Sequence, residues 1–176
     1  MSIVTRRGDA GETSLLSGKR VKKCDLRVEC LGAVDEAAAF LGVARAKARG
    51  YVAQSLCAIL GGLSRVMAEL ADDAGILPLE RFVSDAHTAE LERIVEYCER
   101  ETGPMKGFVL PGETPLSADL HVARTAVRRA ERRIAALNET TPLRAELLRY
   151  MNRLSDALFA LARLSAEGPG SKVTPL

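Results

Sequence analysis

Apolar residues recur at intervals of three and four along five stretches of the chain, most of them punctuated by glycine or proline. The first stretch runs from about Leu26 to Arg49 and breaks at Gly50; the second covers Tyr51 to about Ala71 and contains Gly61 and Gly62. A glycine inside a helix costs about 1 kcal/mol against alanine, so this pair predicts close packing of another helix. After a loop with Pro78, Ser84 or Asp85 can cap a third helix that stops at Gly103-Pro104. Thr114-Pro115 and Thr141-Pro142 each read as an N-cap followed by the first helical residue. They open a fourth helix to about Leu137 and a fifth to Gly168-Pro169. No segment shows the strict alternation of a strand, and no internal repeat is visible. The pattern predicts an all-α fold, a five-helix antiparallel bundle with short connections. It divides into a glycine-rich N-terminal loop (1–24), the bundle (25–168) and a tail expected to be flexible (169–176).

The stripes assign faces. On the fourth helix Leu120, Ala123, Val127, Ala130, Ile134 and Leu137 point one way, while His121, Arg124, Thr125, Arg128, Glu131 and Arg132 share another side. Arg124, Arg128 and Arg132 follow at i, i+4 and i+8, which sets three guanidiniums along about 12 Å of helix. Such a row is either a solvated basic face or a seat for an anion, and the planar fork of arginine suits phosphate. The fifth helix repeats the division: Leu147, Met151, Leu154, Leu158 and Leu161 inward, and Asn152, Ser155, Asp156, Phe159 and Arg163 along another side. Polar groups at matching positions on two helices suggest a shared cleft. On the first helix Val28, Leu31, Gly32, Asp35, Ala39 and Gly42 form one stripe, so Asp35 is expected to interrupt a buried face. A carboxylate there needs a cation or a proton, and a structural salt bridge would serve as well as a functional one.

Composition adds exclusions. The 176 residues suffice for one domain, 47% are hydrophobic, Trp is absent, and the net charge is +2. There is no stretch of about 18 uninterrupted apolar residues, so no membrane span is expected. The N-terminus lacks the apolar middle of a signal peptide. Cys24, Cys30, Cys57 and Cys98 show no metal-ligand spacing, and no metal site is expected. They are read as reduced thiols of a cytoplasmic protein. Nearly balanced charge and few stacking aromatics argue against nucleic acid.

Residues 1–24 combine Gly8, Gly11 and Gly18 with Arg6, Arg7, Lys19, Arg20, Lys22 and Lys23. Exposed backbone N–H groups beside cations suit a polyphosphate, although the glycine spacing is not that of a Walker A loop. A disordered basic tail is the other reading.

Three blocks then resemble the PduO-type ATP:cob(I)alamin adenosyltransferases. They are TRRGDAGETSLLSGKRVKK (Thr5 to Lys23) continuing through RVECLGAVDE (Arg27 to Glu36); FVLPG with LHVARTAVRRAER (Phe108 to Arg132); and YMNRLSDALFALAR (Tyr150 to Arg163). They occur in the family's order and spacing and span nearly the whole chain. The resemblance implies a ferritin-like five-helix bundle that assembles as a homotrimer, with active sites between neighbouring subunits. It implies that Thr5, Arg6, Arg7, Gly8, Thr13, Ser14 and Lys23 wrap the ATP phosphates with Mg2+. Arg128, Arg129, Glu131, Arg132 and Asn152 would complete the nucleotide site from another subunit. Asp35 and Arg124 match an ion pair across the interface that helps hold the corrinoid. Phe108 matches the aromatic residue that displaces the lower axial cobalt ligand. Where the family reads D-E-L-N and P-G-G, this chain has Asp35-Glu36-Ala37-Ala38 and Pro111-Gly112-Glu113.

The implied reaction moves the 5′-deoxyadenosyl group of ATP to the cobalt(I) of a reduced corrinoid such as cobalamin. It would draw on a corrinoid reductase and supply a B12-dependent acceptor enzyme. Placed cations that stabilise a departing triphosphate need no general base, in keeping with the lack of a Ser-His-Asp or Cys-His constellation. The alternatives are a non-catalytic carrier or regulatory homologue that binds ATP or adenosylcobalamin, and a purely structural bundle.

Overall fold

The computed structural model describes residues 4, 6–105, 107 and 109–166. Among them are a two-stranded hairpin, β1 (Glu12–Ser14) and β2 (Arg20–Lys22), and five helices. The helices are α1 (Leu26–Lys47), α2 (Gly50–Ala71), α3 (Asp85–Thr102), α4 (Pro115–Thr140) and α5 (Ala145–Ala166). A single 3₁₀ turn, Leu79–Arg81, lies between α2 and α3. Consecutive helices alternate in direction. α1 packs on α2 and α4, and α5 on α4 and α3. Cross-helix bonds fix the register: Glu36–Arg129 and Lys47–Asp119 join antiparallel α1 and α4, whereas Asp85–Arg149 and Glu92–Arg153 join α3 and α5 in parallel.

Sequence punctuation explains several helix ends. Thr114 Oγ1 accepts from the Ser117 N–H at 3.1 Å and Pro115 follows, so α4 starts where its cap places it. Ser84 precedes α3, with its backbone N–H donating to His87 Nδ1 at 3.1 Å. Gly103, at φ 70°, closes α3 with its N–H on the Glu99 carbonyl. The Thr141-Pro142 expectation fails. The Thr141 N–H bonds to the Leu137 carbonyl and ends α4, which therefore runs to Thr140, and α5 opens only at Ala145. Asn138 Oδ1 accepts from the Leu143 N–H and holds this connection.

The expected inward stripes of α4 and α5 are all buried. The α1 expectation is corrected: the buried face is Cys30, Ala33, Val34, Ala37, Leu41 and Ala44. Gly32, Asp35, Ala39 and Gly42 face outward and are exposed. α1 carries apolar or small residues all round, so a stripe alone could not tell its two faces apart. Gly62 does mark a close approach, because a Cβ there would overlap the fully buried Tyr150 hydroxyl; at Gly61 a Cβ would meet nothing. By length and composition α2 is apolar enough to cross a membrane, but Leu56, Ile59, Leu63 and Val66 pack into the bundle core.

The hairpin is the second correction, since no strand was expected. Each strand has three residues, too few for a period to show, and Thr13 faces Val21 across the register. Gly18, at φ 86°, turns the chain between them. The turn is tied to the end of α2: the Leu16 N–H bonds the Ala71 carbonyl at 3.1 Å and Ser17 Oγ donates to Asp73 at 2.9 Å. Leu15 is buried beneath it. At the same end of the bundle Arg144 bonds Glu69 at 3.3 Å and the Val83 carbonyl at 3.2 Å, with its guanidinium over Phe82.

Candidate active site

The cleft foreseen between α4 and α5 exists, and α3 forms its far wall. It encloses a cavity of about 830 Å³. Arg124 and Arg128 line it from α4; Ser155, Asp156, Phe159 and Arg163 line it from α5. These belong to the polar faces assigned from spacing. Two smaller cavities, of about 500 and 290 Å³, continue from it toward the segment before α4. Arg124 borders all three.

The cations of the row have different fates. Arg128 is exposed and makes no ion pair among the described residues. Arg132 folds back, donating to the Arg128 carbonyl at 3.1 Å. Arg129 turns the other way, to Glu36 on α1 at 2.5 Å. Arg124 is half-buried, its guanidinium 6.0 Å from the Phe159 ring, and its Nε has no hydrogen-bond partner. Burial first, and then the neighbouring Arg128, pull the Arg124 guanidinium below its ordinary pKa. Asn152 Nδ2 donates to Glu131 Oε1 at 3.0 Å, joining α5 to α4 beside Arg128.

Asp35 and Arg124 are not brought together within the chain. The bonds Lys47–Asp119 and Glu36–Arg129 bracket Arg124 opposite the middle of α1 near Leu41. That leaves Asp35 about six residues, roughly 9 Å, further along the helix axis. Asp35 itself is exposed and unpaired among the described residues.

The N-terminal residues form a separate group. Lys23 Nζ would stand 3.1 Å from a Cβ at Gly8, so the glycine lets the ammonium lie against the backbone. The Lys23 N–H bonds the Gly11 carbonyl at 2.9 Å, and Arg20 donates to the Arg7 carbonyl at 2.8 Å and to Ser14 at 3.3 Å. Arg6, at φ 57°, is the one non-glycine residue in the left-handed region among the described residues, a strained conformation of the kind that concentrates at ligand sites. Thr13 and Ser14 lie on β1 beside this group. No hydrogen bond or ion pair connects it to Arg128, Arg132 or Asn152 among the described residues. Thr5 and Phe108 lie outside the described residues, as does the 169–176 tail.

Sequence reasoning gave His121 no role. It is 5% exposed on α4, next to Arg124, with its ring edge toward Phe159 at 6.0 Å. Burial, then the Arg124 charge, lower its pKa, so the imidazole is neutral near pH 7.

Known proteins share this architecture. A variant of the PduO-type ATP:corrinoid adenosyltransferase of Lactobacillus reuteri, complexed with cobalamin and ATP, superposes with a TM-score of 0.86 at 32% identity, covering 94% of this chain and 93% of that one. The corrinoid adenosyltransferase of Citrobacter freundii is 44% identical over 95% of this chain and 96% of its own length. The corrinoid adenosyltransferase PduO of Salmonella typhimurium is 42% identical over 93% of this chain, which spans 49% of that longer protein. Residues 3–165 match the family model described as cobalamin adenosyltransferase. From its hairpin to its last helix, the chain belongs to the cobalamin adenosyltransferase family.

Proposed function

We propose that this protein transfers the 5′-deoxyadenosyl group of ATP to the cobalt(I) of a reduced corrinoid, releasing triphosphate. The observation that carries the reading is the α3–α4–α5 cleft, where Arg124 and Arg128 stand without carboxylate partners among the described residues beside two further cavities. Cobalt(I) of the corrinoid supplies the electron pair that forms the Co–C bond at C5′. The C5′–O bond breaks, and its electron pair leaves on the triphosphate. Arg128 is set to take up the growing negative charge, and as a cation already in place it requires little reorganisation.

The hairpin group of Arg6, Arg7, Gly8, Thr13, Ser14 and Lys23 is assigned to the phosphates. No hydrogen bond or ion pair joins it to Arg128 or Asn152 among the described residues, which is in keeping with sites completed by a neighbouring copy, hence a homotrimer. The same arrangement supports Asp35 of one subunit pairing with Arg124 of the next. Among the described residues no three carboxylate, histidine or cysteine side chains gather as a metal site. The Thr13 and Ser14 hydroxyls, hard oxygen donors on β1, are the groups that would hold Mg2+ brought in with the nucleotide. When bound, the ion would neutralise part of the phosphate charge. Four free thiols, two of them exposed, support a reducing compartment such as the cytoplasm. A corrinoid reductase and a B12-dependent acceptor enzyme complete the proposed partners.

The test is an anaerobic assay with ATP and cob(I)alamin that follows the absorption change on Co–C bond formation. Adenosylcobalamin and triphosphate in equal amounts are expected. Binding of both substrates with no product would favour the carrier reading instead.

A further inference from the structure

Four buried side-chain atoms have no hydrogen-bond partner among the described residues: Thr88 Oγ1, both ring nitrogens of His121, and Arg124 Nε. Three of the four thus sit within one turn of α4, and both residues line the 500 Å³ and 290 Å³ cavities. Packing against Phe159 accounts for the burial of His121 but leaves Nδ1 and Nε2 unexplained, because unpaired buried polar atoms are rare in folded proteins. Both side chains border cavities with room for a ligand to supply the missing partner. Its chemistry follows from the imidazole, which in the neutral form offers one N–H donor and one acceptor nitrogen on opposite sides of the ring. A carboxylate or phosphate could satisfy the donor alone. Primary carboxamides satisfy both, an amide carbonyl accepting from the ring N–H and an amide N–H donating to the other nitrogen. The rim of an amidated corrin macrocycle carries several such groups, close enough together for one edge to meet a buried side chain.

Resting on the corrinoid reading above, we infer that His121 is a corrinoid-specificity residue, holding peripheral carboxamides of the macrocycle in the cavities it shares with Arg124 and Phe159. It touches the substrate rim and not the cobalt.

The experiment compares wild type, His121→Phe and His121→Asn for ATP KM and for dissociation constants of cobinamide, whose rim is amidated, and cobyrinic acid, whose rim is carboxylate. His121→Phe is expected to weaken cobinamide binding about tenfold or more, the loss of two buried hydrogen bonds. ATP KM should stay unchanged, and the preference for cobinamide over cobyrinic acid should fall by a similar factor. His121→Asn, with a donor and an acceptor, should recover part of that preference, which a purely structural role would not produce. Should the Phe variant fail to fold by thermal melting, His121→Met carries the same expectation. An unchanged ratio, or parallel losses for ATP and both corrinoids, overturns the inference. So does a nitrogen coupling in the EPR spectrum of bound cob(II)alamin that vanishes in the variant, because it would make His121 an axial ligand. Failure of the wild type to adenosylate cob(I)alamin would sink the functional reading itself; normal wild-type turnover with an unaffected Phe variant would sink only this inference.

Discussion

Asn152 on α5 reaches across 3.0 Å to Glu131 on α4, leaving Arg128, three residues earlier, without a carboxylate of its own among the described residues. The nearest carboxylate on the same helix face, Glu131, is engaged by an amide through Oε1. Arg128 is thus left open to a ligand. Arg128→Ala is expected to lower kcat by about a hundredfold or more, the usual cost of removing one preplaced donor. Its melting curve should hardly move, because exposed positions without partners contribute little to stability. Near-normal turnover would remove Arg128 from the proposed role.

Asp35 stands exposed on α1 and Arg124 is half-buried with an orphaned Nε, and the two do not pair within the chain; the proposed trimer would bring them together between copies. Asp35→Asn should weaken corrinoid use more than ATP binding. Titrations in which ATP suffers more would reject that pairing.

Because the Lys23 group and the Arg128 group are unconnected within a chain, Lys23→Ala and Arg128→Ala subunits should complement. Each variant alone is expected to be nearly inactive, and an equal, randomly reassembled mixture should recover to roughly a quarter of wild-type activity, about a third within the mixed trimers themselves. Verified mixed trimers with no recovery would place both residues in one subunit's site or in none.

The adjacent glycines of α2 should part company. Gly62→Ala forces a methyl into the Tyr150 hydroxyl, which is fully buried, and overpacking of this kind costs about 1–3 kcal/mol. Gly61→Ala meets no neighbour and should stabilise by up to about 1 kcal/mol through helix propensity. Denaturant melts of both variants decide the point; equal effects would contradict the packing.

Burial pushes the Cys30 and Cys98 thiols up to about 11, from an ordinary 9.0. The unfolded chain therefore loses these protons first as pH rises. The stability they contribute is intact below about pH 9 and declines through pH 11. Thiol-reagent labelling at pH 8 should be fast at the exposed Cys24 and Cys57 and slow at the buried pair. Rapid reaction at all four in the folded state would contradict the burial.

What could be read from the chain was whatever local chemistry decides alone. Thr114-Pro115 caps a helix as its residues demand, and the leucine stripes of α4 and α5 have only one apolar side to bury. The same Thr-Pro dipeptide at 141–142 closes a helix, because Asn138 and the Leu137 carbonyl capture the backbone there first. α1 misled for a different reason: with alanine and glycine on both sides, its inward face is chosen by α2 and α4. In the site, spacing located the arginine row and the polar face of α5. It could not show that Arg129 is taken by Glu36, nor that His121 is buried without partners. Those facts depend on the register between helices, which periodicity within one helix does not contain.

Neighbouring aspartates at the end of α2 divide their work. Asp72 accepts from the Ile76 and Leu77 N–H groups and freezes its own loop, which leaves Asp73 to grip Ser17. These bonds within the fold hold the hairpin, so much of the conformational entropy of ordering it is lost at folding. If the hairpin binds the phosphates as proposed, those contacts can then appear as affinity instead of being consumed in straightening a floppy strap.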